Sequence, residues 1–291
     1  MATLTGTYLE RLGARLATTR TSLCLGLDPD PQALPAGFGS SLEGLERFSS
    51  LLIAEALPFA TALKVNLAFY EAFGSRGLAA LERLRADVPE DVPVILDAKR
   101  GDVASTSRHH AAALFDALGA DAVTASPYLG ADAIEPLLER ADRFVYVLCR
   151  TSNPGAAEFQ SLAVAGGDGA AEEPLYLRVA RRATEWSDRY GTVGLVVGAT
   201  APADLQAARE AAPELPFLVP GVGAQGGEIT ALVGGAPARA GMAATLPGGG
   251  CLVNVSRGIA SVALASELPA GPEGALQEAA RSWAARLQVL R

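Results

Sequence analysis

The sequence predicts a single (β/α)8 TIM barrel, and three observations carry that prediction. Eight apolar, β-branched runs recur along the 291 residues, separated by helical patterns. The runs are continuous and not alternating, as parallel strands covered on both faces require. The alternative, a doubly wound open sheet, is weakened because no G-x-G-x-x-G follows the first run. The length suits one barrel, a fold that commonly runs to about 250 residues or more.

A helix opens the chain, ahead of the first strand "SLCLGLD" (22–28). Next come "ALKVN" (62–66), "VPVILDAK" (92–99) and "AVTASP" (122–127). Then follow "FVYVLCRT" (144–151), "VGLVVGAT" (193–200), "FLVPGVG" (217–223) and "CLVNVSR" (251–257). After the third strand, Ala112, Phe115 and Leu118 fall on one helical side and Gly119 offers a C-cap. After the sixth, Thr200 can N-cap a helix that carries Pro202 in its first turn. Two low-complexity stretches interrupt the barrel, near 155–175 and 234–250. They read as surface-loop insertions within one domain spanning 1–291 and not as domain boundaries.

Composition narrows the function. Hydrophobic residues make up 49%, enough for a large core. A net charge of −8 argues against nucleic acid as a general partner, because a phosphate backbone needs a basic face. A small anionic ligand needs only a local basic cluster. The longest uncharged stretch, 240–256, is broken by Pro247 and three glycines and is no membrane span. No apolar leader pattern is evident near Glu10 and Arg11. Cys24, Cys149 and Cys251 lie in apolar runs with no pairing pattern, which fits a reducing cytoplasm.

In such barrels the C-terminal strand ends face the active site. Here those ends are polar: Asp28; Lys64 and Asn66; Asp97, Lys99 and Asp102; Thr151, Ser152 and Asn153; then Ser256, Arg257 and Gly258. A convergent set from at least five strands is a candidate site. Asp97 and Lys99, two apart on a strand, point the same way, and Lys64 on the next strand reaches the same space. Alternating Lys64, Asp97, Lys99 and Asp102 would keep one another ionised. An ammonium fixed between carboxylates suits a reaction that expels an anionic group and protonates the carbon left behind. The same spacing also fits a purely structural ion-pair network. The turn "PGVGAQGG" (220–227) offers backbone N–H groups for an anion, and Arg257 adds a guanidinium. The only histidines, His109 and His110, are adjacent on a helix and make a poor metal pair. No Cys–His metal pattern, Ser–His–Asp set or nicotinamide or flavin motif stands out, so the chemistry is expected to need no metal and no cofactor.

Together these residues resemble the orotidine 5′-phosphate decarboxylase family, in its longer bacterial subgroup. Its D-x-K-x-x-D signature stands as Asp97, Lys99 and Asp102, with Lys64 in "LKVNLAFYEAFG" and Asp28 in "LGLDPDP". "TASPYLG" (124–130), "RTSNPGA" (150–156), "VVGAT" (196–200), "PGVGAQGG" and "VSRGI" (255–259) extend the likeness in order over roughly 20–260. The resemblance implies decarboxylation of orotidine 5′-monophosphate (OMP) to UMP in pyrimidine biosynthesis. It makes Lys99 the proton donor to C6 and sets Asp97 against the substrate carboxylate. Lys64 and Asp28 would contact the ribose, Ser152 the pyrimidine, and Gln225, Arg257 and Gly258 the phosphate. Asp102 and Thr106 would serve the partner's site in a homodimer. Two rivals remain: a Mg²⁺-dependent barrel acting on a sugar phosphate, and an inert nucleotide-binding barrel.

Overall fold

The computed structural model describes residues 6–35, 37–166, 171–223, 226–264 and 271–288. Eight parallel strands close a barrel in sequence order: β1 (Leu23–Leu27), β2 (Ala62–Asn66), β3 (Val94–Arg100), β4 (Ala122–Ala125), β5 (Phe144–Arg150), β6 (Val193–Val197), β7 (Phe217–Val219) and β8 (Leu252–Val255). All eight fall on the apolar runs, and the TIM barrel expected from them is the fold that forms. The larger helices on its outside are α2 (Leu42–Glu55), α3 (Ser75–Asp87), α4 (Ala104–Ala111), α5 (Glu135–Leu138), α6 (Leu175–Tyr190), α7 (Pro202–Ala211), α8 (Thr230–Gly235) and α9 (Gly271–Arg286), while α1 (Tyr8–Thr19) precedes the barrel.

Buried apolar side chains sort by alternate residue into two clusters. Leu23, Leu63, Leu96, Val123, Val145 and Leu195 belong to the layer between strands and helices. Cys24, Ala62, Ile95, Ala122, Phe144, Tyr146, Val196, Leu218 and Leu252 fill the barrel interior. Helix α1 closes the lower end of that interior. A capping box between Thr7 and Glu10 starts it, and its buried face of Tyr8, Leu9, Leu12 and Leu16 joins the interior cluster. Tyr8 stacks on Phe144 at 4.8 Å and meets the Tyr146 hydroxyl at 3.2 Å. Arg11 holds the helix in place through a 2.8 Å ion pair to buried Asp121, which also accepts the Val94 N–H.

The structure departs from the sequence reading in several places. Ala112 is exposed, and the buried face is Ser107, Ala111, Leu114, Phe115 and Leu118. The cause is a π-helical turn, Ala112–Ala117, in which Leu118 N–H reaches back to Ala113 O. Gly119, at φ +66°, then ends the element as expected. Ala201, not Thr200, is the N-cap of α7, with no side-chain cap bond, while Pro202 does sit in its first turn. The 234–250 stretch mixes exposed residues such as Met242 with buried ones such as Ala238, Ala243 and Gly249. Leu246 seats over Gly13 of α1, and the turns Gly241–Thr245 and Pro247–Gly250 follow one another closely. A Cβ on Gly249, at φ +61°, would stand 2.3 Å from Ala238 N, so only glycine fits. In the 155–175 stretch, Ala163–Val164 pairs antiparallel with Glu173–Pro174 beneath a helical turn, Ala157–Gln160.

Arg209 of α7 is fully buried, and among the described residues no carboxylate pairs with it. Its guanidinium donates to the carbonyls of Ala212 and Leu215 at 2.8 Å and Ala236 at 2.7 Å, and covers the Phe217 ring at 3.5 Å. It satisfies the carbonyl ends of α7 and α8 at once, a negative environment for a positive group. Arg209→Leu is expected to lower unfolding free energy by about 3 kcal/mol or more, since it strands several buried acceptors. Urea denaturation measures this; a loss under about 1 kcal/mol would mean that those carbonyls are satisfied another way.

Candidate active site

Above the apolar floor, the inward positions of the strands turn polar. They carry Lys64 on β2, Asp97 on β3, Thr124 on β4 and Asn254 on β8, all buried or nearly so. Lys64 Nζ lies 3.1 Å from Asp97 Oδ2 and 3.6 Å from Asp28 Oδ1. Lys99 Nζ lies 2.7 Å from Asp97 Oδ1, and the Thr124 hydroxyl donates to the same oxygen at 2.7 Å. Asp97 therefore stands between two ammonium groups, with both oxygens engaged.

Burial decides the electrostatics. The Lys64 side chain is only 6% exposed, and burial alone would drive off its proton. Attraction to Asp28 and Asp97 outweighs that and raises its pKa above the ordinary lysine value. Burial likewise opposes ionisation of Asp97, but Lys64, Lys99 and the Thr124 hydrogen bond hold its carboxyl well below the usual range. Lys99 differs: its side chain is 49% exposed at the barrel mouth, where a ligand can meet it.

The fourth member expected in the array is not joined to it. Asp102 lies in the turn after β3, and its carboxylate accepts from Val103 N–H at 2.7 Å. Ser107 Oγ accepts from Asp102 N–H and has the Ala133 carbonyl at 2.5 Å and the Asp102 carbonyl at 3.0 Å, with one proton to donate between them. Among the described residues no ion pair reaches Asp102 within the chain; Asp28 takes the place given to it. Spacing three residues past Lys99 was not enough, because the chain leaves the strand at Gly101, whose Cβ would lie 2.5 Å from Ser126 O. Thr106, on α4, is half-buried beside this turn. Arg100 pairs with Glu71 and so ties the end of β3 to the short helix Ala68–Glu71 that follows β2.

A cleft of about 440 Å³ opens beside the array. Asp28, Asn66, Gly221, Asn254, Arg257 and Gly258 line it. Trp283 of α9 braces both glycine loops: its indole N–H donates to Gly258 O at 3.0 Å, and its ring lies 3.0 Å from where a Cβ would stand on Gly223. Gln225 falls outside the described residues. Ser152 lies against the end of β6, 2.9 Å from where a Cβ on Gly198 would stand. Gln160 fixes the loop that carries Ser152 by accepting from Thr151 N–H at 2.9 Å and donating to Thr151 Oγ1 at 2.8 Å.

Asn254 and Thr124 were not singled out from sequence, although each is a lone polar residue at an inward position of an apolar run. Asn254 Oδ1 and Asp28 Oδ1 are buried at the cleft without a hydrogen-bond partner among the described residues, so both await a donor. Gly26 makes room for Asn254, whose Oδ1 would lie 3.0 Å from any Cβ there. The three cysteines are free and buried, and burial pushes each thiol up to about 12, so they are inert. Among the described residues no three His, Cys, Asp or Glu side chains gather as a metal site.

Comparison with known proteins decides the lineage. A profile of the orotidine 5′-phosphate decarboxylase / HUMPS family matches residues 21–264. The chain belongs to that family. An orotidine 5′-phosphate decarboxylase from Thermomicrobium roseum is 49% identical over 253 residues, covering 87% of this chain and 86% of that one. One from Halorubrum lacusprofundi is 44% identical over 288 residues, 98% of this chain and 99% of its own. The structure of Leishmania donovani OMP decarboxylase superposes with a TM-score of 0.78 at 39% identity, covering 97% of this chain and 99% of that one. In this member of the OMP decarboxylase / HUMPS family, Asp97 and Lys99 lie within the matched residues.

The depressed Asp97 pKa has a signed consequence. Between the ordinary carboxylate pKa of about 3.9 and the lower folded value, the unfolded chain binds a proton that the folded chain does not. Asp97 thus adds stability above that range, which is lost as pH falls through it. Urea midpoints at pH 6 and pH 3 should drop less for Asp97→Asn than for the unaltered chain; an equal or larger drop would show that Asp97 is not held ionised.

Proposed function

We propose that this chain decarboxylates OMP to UMP, without a cofactor, as a cytoplasmic single-domain enzyme of pyrimidine biosynthesis. The observation that carries the reading is Asp97 held ionised between a buried and an exposed ammonium, 3.1 and 2.7 Å away, beside a cleft ending in Arg257. Family membership supplies the substrate, because the relatives are named for that activity.

The chemistry follows from the geometry. The phosphate binds at Arg257 and the glycine loops after β7 and β8, remote from the reacting carbon. Its binding energy holds the pyrimidine carboxylate against Asp97. The C6–carboxylate bond breaks, carbon dioxide leaves, and the electron pair stays on C6. The Lys99 ammonium, fixed by Asp97, stabilises that charge and delivers its proton to C6. Lys99 is left neutral and regains a proton from solvent. Asp28 and Lys64 take the ribose hydroxyls; Asp28 Oδ1, which has no hydrogen-bond partner among the described residues, accepts one. Ser152 meets the pyrimidine, and Gln225 assists at the phosphate. Among the described residues no helix is long and apolar enough to cross a membrane, and three free buried thiols suit a reducing compartment.

The same reading makes the enzyme a homodimer with Asp102 and Thr106 completing the partner's site. Support comes from Val103, Tyr128 and Leu129 on the adjacent loops after β3 and β4, which are 56, 81 and 52% exposed. The loops are stitched together by Ser126 N–H on Arg100 O at 2.8 Å.

Protein treated with EDTA should remove the ultraviolet absorbance of OMP, and Lys99→Ala should lower kcat by at least about 10³-fold with Tm retained. Tight UMP binding without turnover would leave an inert nucleotide-binding barrel, and activity lost to EDTA would favour a metal-dependent sugar-phosphate reaction. Lys99→Ala and Asp102→Ala proteins, each inactive, should regain about a quarter of full activity when mixed, because half the dimers are mixed and each has one intact site. No recovery would remove Asp102 from the partner's site.

A further inference from the structure

The Lys99 backbone is unusual. Only Arg20 and Lys99 among the described non-glycine residues have positive φ, and Lys99 stands at +50°. The β3–β4 register also slips here: Leu96 pairs with Val123, but Arg100 pairs with Ala125, so four steps on β3 match two on β4. A residue in such a bulge loses its ladder partner, and an amide left unpaired in a barrel interior is costly. Lys99 N–H instead donates to Thr124 Oγ1 at 3.0 Å. A left-handed conformation in a non-glycine residue costs on the order of 1–3 kcal/mol and persists only where its surroundings enforce it.

The direction of the Thr124 hydrogen bonds follows without seeing a hydrogen atom. A hydroxyl carries one proton. The Lys99 amide can only donate, so Thr124 Oγ1 accepts there. The ionised Asp97 carboxylate can only accept, so the Thr124 proton points to Oδ1, 2.7 Å away. That oxygen also receives the Lys99 ammonium at 2.7 Å. One hydroxyl therefore ties together the main chain of Lys99, the carboxylate of Asp97 and, through that oxygen, the head of Lys99. Thr124 is 1% exposed, and its hydroxyl is taken up by Lys99 N–H on one side and Asp97 Oδ1 on the other.

We propose that Thr124 is a positioning residue: its hydroxyl holds the strained Lys99 turn and thereby sets where the Lys99 ammonium stands over Asp97. The assignment rests on the decarboxylase reading, in which Lys99 is the proton donor. Thr124→Val keeps the shape and removes the hydroxyl; Thr124→Ser keeps the hydroxyl.

The test is kcat and KM for OMP, the dissociation constant of UMP, and Tm, on full-length wild type and both variants. Because a misplacement of about 1 Å can cost about 100-fold, the valine variant should lose about 10- to 100-fold in kcat. Its KM and UMP affinity should stay within about threefold, since the phosphate and ribose contacts are untouched, and the serine variant should recover to within about threefold of wild-type kcat. A crystal structure of the valine variant should show Lys99 away from its φ of +50°. The proposal is overturned if valine leaves kcat within about twofold, if serine and valine lose alike, if UMP affinity and Tm fall in step with kcat, or if Lys99 keeps its backbone. Wild-type protein that binds UMP but does not turn over OMP defeats the parent reading and this assignment with it, a result distinct from any failure confined to the variants.

Discussion

One buried ammonium governs the upper half of this barrel. Lys64 projects from β2 into an otherwise apolar interior, with almost no contact with water. An isolated charge there would shed its proton, so the neighbouring strands must answer it. They do so with Asp28 at the end of β1 and Asp97 on β3. Each carboxylate then needs partners of its own, which Lys99 and Thr124 provide for Asp97. The polar layer is thus a chain of obligations that starts at one lysine, and it forces its members into fixed places before any ligand arrives.

That fixity contrasts with the other side of the cleft. The loops after β7 and β8 hang from glycines and are braced from behind by Trp283 of α9. The reacting end of the site is held by strands and ion pairs. The end assigned to the phosphate is held by loops and one indole. Such a division lets the loops adjust to a ligand while the charges stay in register.

The barrel was legible because continuous apolar runs at regular intervals have few other uses. The core of the site was legible too, since Asp97 and Lys99 two apart on a strand, with Lys64 on its neighbour, have one geometric outcome. What could not be read was what depends on departure from regular backbone. The left-handed Lys99 and the register slip beside it have no local signature, so Asp102 was placed in an array that the turn at Gly101 carries it out of. Thr124 and Asn254 escaped notice because a single polar residue in a strand reads the same whether it faces the floor or the mouth. The role of Arg100 needed Glu71, a partner on a different connection. The π-turn that exposes Ala112 arises from packing, not propensity, and the buried glycines at 249 and 250 read as part of a surface loop because composition does not reveal burial.

The helix that seals the lower end has one more consequence. With Tyr8, Leu12 and Leu16 wedged against Phe144 and Tyr146, the barrel is a blind alley and not a conduit. Among the described residues the open end is the upper mouth, beside the cleft lined by Asp28 and Arg257. Under the proposed reaction, the departing gas and the remaining nucleotide must share that exit, and the gas is the one that can slip past while the nucleotide is still anchored by its phosphate.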